Sequence, residues 1–302
     1  TYMIITNQGD YVLRRQPPGK LLKSAHAVDR EYRVITALGQ TDVPVPRTYD
    51  YCSDENVVGT KFFLMDHVKG NIYWELLLPN LDKPSRRQVY LSMNDTISKL
   101  HNVNFEKINL SDYGKHENYM QRQIHRWTKQ YKDSETQEIP EMNELINWLP
   151  QNIPLEQETS IVHGDFRLDN MIFDPETHQV KAILDWELST LGNPIADFTY
   201  HMMSWRLPAA AKGLGMLGSD LKSLNIPSED EYSALYYEKT GRNKIENWDF
   251  YMAYNIFRLA GIAQGIVGRV RDGTASSSEA KDFEAFVPIL GKIGWNLVSG
   301  IK

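Results

Sequence analysis

Apolar residues cluster in two short runs at the start of the chain, Thr1–Thr6 and Tyr11–Arg15, separated by Asn7-Gln8-Gly9-Asp10. Two such runs around an Asn/Gly turn predict a β-hairpin. A helical period follows. Val28, Tyr32, Ile35 and Leu38 recur at helical spacing, predicting a helix over Ala25–Leu38 that Ser24 can cap. Val43-Pro44-Val45-Pro46 ends that segment, and Arg47–Cys52 and Lys61–Asp66 read as two more strands with Ser53–Gly59 as their turn. Helical spacing returns at Pro84–His101, through Val89, Met93, Ile97 and Leu100, and continues in Tyr119–Tyr131 and Glu138–Leu149. Apolar Met171-Ile172-Phe173 and Val180–Leu184 flank Asp174-Pro175-Glu176-Thr177, a second strand–turn–strand unit. Pro194 suits the first turn of a helix. Residues 207–228 show little apolar periodicity and read as a long surface loop, with a substrate lid as the alternative; helices follow at 229–240, 248–270 and 279–298, the last with a kink expected at Pro288. The class is α+β. Residues 1–68 form a small sheet with one helix, residues 69–302 a mostly helical part, and Asp66–Gly70 is the hinge.

The second strand–turn–strand unit carries the chemistry. Folding Met171–Phe173 back on Val180–Leu184 brings Asn170 and Asp185 to one point, with Asp165 on the loop just before. Two oxygen ligands and a nearby carboxylate are what phosphoryl transfer needs: magnesium held against nucleotide phosphates, and an acceptor for the proton of the attacking hydroxyl. The run His163-Gly164-Asp165 with Asn170 five positions on, followed by Asp185-Trp186-Glu187, parallels the protein-kinase pattern H-R-D-x-x-x-x-N and D-F-G. With glycine at the centre of the triplet, it resembles the aminoglycoside phosphotransferase and choline kinase-like family. His-Gly-Asp-Phe-Arg-Leu-Asp-Asn and Ile-Leu-Asp-Trp-Glu resemble the branch also found fused to acyl-CoA dehydrogenases.

The resemblance implies a two-lobed, protein-kinase-like fold that uses ATP and magnesium to phosphorylate a small hydroxylated molecule. It makes Asp165 the base or hydroxyl-orienting residue and Asn170 and Asp185 the metal ligands. It puts Arg167 near the transferred phosphate and leaves His163 to prop the loop. Arg14, with Arg15 as the alternative, falls at the strand cation that touches the phosphates. Glu31 is its helix partner, and Met65, Asp66 and Val68 lie at the adenine. It also implies a strand and a phosphate-covering loop ahead of residue 1. Gly164 in place of the loop arginine and Glu187 in place of the D-F-G glycine argue against a regulated protein kinase; Glu187 is also a substrate-side candidate. Asp197 matches the aspartate that steadies the catalytic loop.

For the acceptor, aminoglycosides, choline-like alcohols and hydroxyacyl thioesters of coenzyme A stay open, as does a catalytically silent nucleotide-binding module. Arg122 and Arg126, four apart and followed by Trp127 in an Arg-Gln-x-x-Arg-Trp stretch, offer a cationic face that favours an anionic substrate, with Lys20 and Lys23 adding to it.

Composition sets the outer bounds. Hydrophobic residues at 41% and charged residues at 24% are ordinary for a globular protein, and a net charge of −6 disfavours general nucleic-acid or anionic-membrane binding. No apolar run reaches membrane-spanning length. The single cysteine, Cys52, allows no internal disulfide; it reads as a small buried hydrophobe and fits a reducing, cytoplasmic setting. Oligomeric state has no signature here.

Overall fold

The computed structural model describes residues 1–17, 27–155, 158–209, 213–273 and 280–300. In chain order the elements are β1 (Tyr2–Thr6), β2 (Gly9–Arg15), α1 (Val28–Leu38), β3 (Thr48–Cys52), α2 (Glu55–Val58), β4 (Phe62–Asp66), α3 (Lys83–Asn102), α4 (Tyr119–Ser134), α5 (Pro140–Trp148), β5 (Ser160–Val162), β6 (Met171–Phe173), β7 (Val180–Ile183), β8 (Thr190–Gly192), α6 (Pro194–Met202), α7 (Leu221–Leu224), α8 (Glu229–Thr240), α9 (Trp248–Arg271) and α10 (Ala280–Val298). The expected α+β class is found. They fall into two compact units.

The first unit comprises Thr1–Gly114, Ser160–Leu191 and Asp220–Asn243. Its antiparallel sheet runs β1-β2-β4-β3, and α1 packs on it with Val34 and Leu38 fully buried. The expected Ser24 cap, and Lys20 and Lys23, lie outside the described residues. The expected turn at Ser53–Gly59 holds α2, a single helical turn whose Asn56 N–H donates to the Asp54 carboxylate. Cys52 departs from its expected burial. It is half-buried and its Sγ lies 3.7 Å from Asp54 O, because β3 is the outer strand of the sheet.

Helix α3 starts at an Asp82 cap and buries Val89, Met93, Ile97 and Leu100, the face its spacing predicts. It also positions the β6–β7 hairpin. Ser92 Oγ accepts the buried N–H of Val180 at 2.8 Å, tying α3 to the start of β7. Past β4, Asn71 exchanges two backbone hydrogen bonds of 2.8 Å with Phe173, so the chain leaving the sheet is pinned to β6.

The second unit comprises Lys115–Thr159, Gly192–Ser219 and Lys244–Lys302. Helix α9 is its axis, buried on nearly every side. Its polar residues are partnered across helices: Asn255 Nδ2 donates to Ala196 O and Thr199 Oγ1 of α6, and Gln264 Nε2 to Ser134 O and Thr136 Oγ1. Helix α10 packs along α9 and runs on through Pro288. In the expected 207–228 loop, Leu207 and Met216 are fully buried and Leu217 N–H donates to Leu207 O.

Candidate functional site

Strands β6 and β7 pair as the spacing predicts, Met171 opposite Ile183, and one further hydrogen bond from Leu184 N–H to Asn170 O (2.8 Å) carries the pairing to the hairpin's open end. That bond sets Asn170 and Asp185 at facing ends of two strands. Asp185 takes a left-handed backbone, φ 62°, which turns the chain sharply and leaves its side chain 44% exposed. Asn170 Nδ2 donates to both Asp165 O (2.9 Å) and Asp165 Oδ2 (3.0 Å). With its nitrogen committed to two acceptors, the Asn170 side chain presents Oδ1 on its other side.

His163, fully buried, braces this arrangement. Its Nε2 bonds Leu184 O at 2.9 Å, and its Nδ1 accepts the Asp165 N–H at 3.1 Å. The imidazole therefore carries its proton on Nε2 and bridges the loop holding Asp165 to the residue before Asp185. Beside it Gly164 has φ 83°, and a Cβ there would come within 2.8 Å of Leu188 O. Glycine alone lets the loop and the Trp186–Leu188 turn touch.

Arg14 and Glu31 meet. Nε and Nη2 of Arg14 each lie 3.0 Å from a Glu31 carboxylate oxygen, a bidentate pair joining β2 to α1, and Nη2 also lies 3.8 Å from Asp185 Oδ1. Burial works against the charged Arg14. The contact with Glu31 and the charges of Asp185 and Glu187 outweigh it, and the guanidinium is held above its ordinary value. Burial pushes the Glu31 carboxyl up, Asp185 and Glu187 add to the push, and Arg14 opposes it.

Arg167 is held in a fork by Asp169, at 3.0 and 2.7 Å. Met65 and Asp66 end β4 and Val68 follows it. Asp66 accepts the Tyr49 hydroxyl at 2.6 Å. The Asp66 and His67 N–H groups are spent on Arg47 O and Asp10 O. Glu187 is exposed two residues after Asp185.

Arg122, Arg126 and Trp127 belong to α4, in the second unit. Arg122 Nη2 donates to Lys115 O (2.9 Å) and lines a cleft of about 670 Å³ with Lys115, His116, Gln121 and His125. Arg126 is exposed and lies over the Trp127 ring, 5.3 Å from its centre. Trp127 is buried, with Arg258 at 5.4 Å on the same ring and 4.4 Å from that of Tyr200. Tyr119 is buried as well. Both aromatics thus pack the helix and offer no open face to a ligand. The signal was in the chain: Met120, Ile124, Trp127 and Tyr131 mark one buried stripe.

Sequence reasoning missed Asp169 as the partner of Arg167. It also missed Ser92, and Tyr113 and Ser189, whose hydroxyls lie 2.6 Å apart. Of these only Asp169, two residues from Arg167, had a local signal.

Among the described residues no three His, Cys, Asp or Glu gather into a cluster able to hold a metal. The Asp185 carboxylate with the Asn170 carbonyl is instead the kind of sparse pair that suits magnesium, which takes one or two protein oxygens and completes its shell with phosphates and water.

The sequence profile of the phosphotransferase enzyme family matches residues 1–232. Acyl-CoA dehydrogenase family member 10 of Mus musculus is 42% identical over 300 residues, which are 99% of this chain and 28% of that protein. Acyl-CoA dehydrogenase family member 11 of Homo sapiens is 40% identical over 95% of this chain and 37% of its own. The chain thus spans roughly a third of these curated relatives. A crystal structure from Ralstonia eutropha JMP134, of a protein provisionally named an aminoglycoside phosphotransferase, superimposes with a TM-score of 0.93 at 47% identity, covering 99% of this chain and 89% of that one.

Proposed function

The chain belongs to the phosphotransferase enzyme family, and from that premise we propose that it moves the γ-phosphoryl group of ATP to a hydroxyl of a hydroxyacyl thioester of coenzyme A. The observation that carries the reaction is the convergence of Asp165, Asn170 and Asp185 at one hairpin end, with Arg14 reaching Asp185 from β2.

Asp165 orients the acceptor hydroxyl and takes its proton. Asn170 Oδ1 and Asp185 would hold magnesium, which when bound would supply charge neutralisation for the phosphates. Arg14 adds positive charge on the nucleotide side and is kept in place by Glu31. Arg167, oriented by Asp169, offers a guanidinium to the phosphoryl group in transit. At the hinge, Asp66 and His67 use their N–H groups inside the sheet, so Val68 N–H is the donor for adenine, with Met65 beside the ring. Glu187, exposed two residues after Asp185, is assigned to the acceptor side on the resemblance alone.

Two things support the acceptor class. The relatives are named for acyl-CoA dehydrogenation, and Arg122 and Arg126 give α4 the cations a phosphorylated carrier requires. Incubation with ATP, magnesium and a panel of hydroxyacyl-coenzyme A esters, choline-like alcohols and aminoglycosides tests it, read as the mass gained on phosphorylation. Transfer to the thioesters is expected. Transfer confined to choline-like alcohols or aminoglycosides would overturn the acceptor class. ATP binding without transfer to any acceptor or to water would leave a silent nucleotide-binding module.

A further inference from the structure

Helix α1 carries Glu31 toward β2, and the residue before it, Arg30, points elsewhere. Arg30 Nη2 donates to Tyr113 O (2.9 Å) and lies 3.4 Å from Ser189 O, while its guanidinium sits 4.3 Å from the centre of the Tyr113 ring. Arg33, three residues on and so on the same helix face, donates to Asn109 O (2.8 Å) and pairs with Asp112. Two arginines of α1 therefore grip one loop, residues 109–114.

That loop reaches the segment after Asp185. Tyr113 is 1% exposed and its hydroxyl lies 2.6 Å from Ser189 Oγ. Ser189 Oγ donates to Trp186 O at 2.5 Å, so Tyr113 is the donor to Ser189. Burial raises the Tyr113 phenol and keeps its proton in place. The next residue, Gly114, presses against the start of β8: a Cβ there would come within 2.6 Å of Leu191 N. The result is an unbroken path from α1 through Tyr113 and Ser189 to the turn that begins at Asp185.

We propose that Arg30 and Tyr113 are positioning residues that latch helix α1 to the turn following Asp185, and so fix Glu31 where it holds Arg14 beside Asp185. Protein kinases achieve such a setting with a loop arginine that docks a phosphorylated segment. Here Gly164 stands at that arginine's position, and the Arg30 guanidinium, donating to Tyr113 O and stacked on its ring, joins the Tyr113–Ser189 hydroxyl pair to give a setting that needs no phosphate. The role of the latch in turnover rests on the phosphotransferase reading above; its existence does not.

Two measurements separate these. Amide hydrogen exchange on the nucleotide-free chain compares the wild type with Tyr113→Phe and Arg30→Met. The first turns of α1 and residues 186–189 should exchange at least about tenfold faster in both variants, with α3 unchanged. Equal exchange in α1 would overturn the latch. Magnesium-dependent ATP hydrolysis, with water as acceptor, is then followed in a cycle with Glu31→Gln. Tyr113→Phe should lower kcat about tenfold alone and less than about twofold in the Glu31→Gln background, because one path is cut twice. Effects that multiply in full, with a lowered denaturation midpoint, would mean general loosening and overturn the positioning role. A wild type that neither hydrolyses ATP nor transfers phosphate refutes the phosphotransferase reading, and exchange alone then decides the latch.

Discussion

Asp165, Asn170 and Asp185 divide the proposed work by the chemistry of their side chains. Asparagine in place of Asp165 keeps an oxygen for Asn170 Nδ2 but cannot take a proton, so Asp165→Asn should lose about 10²–10⁴-fold in phosphate transfer. Nucleotide affinity, measured by calorimetry, should hold. Asp185→Asn tolerates the left-handed backbone while deleting the charge, which separates metal binding from strain. It should weaken ATP binding in the presence of magnesium more than Asn170→Ala does, with little change in its absence. Titrations with and without the metal read this directly, and equal magnesium dependence in wild type and variant would refute the ligand assignment. On α4, replacing Arg122 and Arg126 together by alanine should raise KM for a coenzyme A-linked hydroxy acid by at least about tenfold, since each charged hydrogen bond is worth roughly 1.5–3 kcal/mol. KM for ATP should stay put. Unaltered kinetics for every acceptor would end the cationic-face idea.

Elements hold these residues in register through a few buried polar contacts. Ser92 is the clearest. Ser92→Ala strands the Val180 N–H in a dry core, and such an orphaned donor costs about 1–3 kcal/mol. The urea midpoint should fall accordingly, and a variant as stable as wild type would show that β7 needs no anchor from α3. Contacts of this kind also mark where the sequence stopped being readable. The hairpin, the helices and the Asp165–Asn170–Asp185 spacing were legible because each is written within some twenty residues. Pairing of Arg14 with Glu31, 17 apart, was legible through the resemblance. Ser92 with Val180 and Tyr113 with Ser189 join residues 88 and 76 positions apart, and no period or spacing within one chain encodes such a meeting. Burial of Trp127 is written in the Met120–Tyr131 stripe, although the arginines beside it give the same stretch the look of a binding face.

Stability of the whole molecule carries a pH signature from the second unit. Burial holds the His201 imidazole down at about 4, against a nearby Asp197 that pulls the other way. The unfolded chain binds that proton near pH 6.5 and the folded one does not, so stability falls as pH drops from 6.5 toward 4. Between pH 7 and 5 this one group should cost about 2 kcal/mol, at roughly 1.4 kcal/mol per pH unit. Urea denaturation at the two pH values measures the loss, and His201→Gln should flatten that part of the profile. If wild type and variant lose the same stability over this interval, His201 is not its source. No helix among the described residues is long and apolar enough to cross a membrane. The seam between Gly164 and Leu188 bears on how the molecule can be inhibited. Kinase ligands that wedge behind an outward-swung metal-binding segment depend on a vacancy which that segment must first create. Here the segment is held by contact with the loop, by His163 on Leu184 and by Ser189 on Tyr113, so making the vacancy means breaking all three together. If adenine binds beside Val68 as proposed, compounds that compete with it there should gain occupancy readily, while those built for the swung-out state should meet a closed wall.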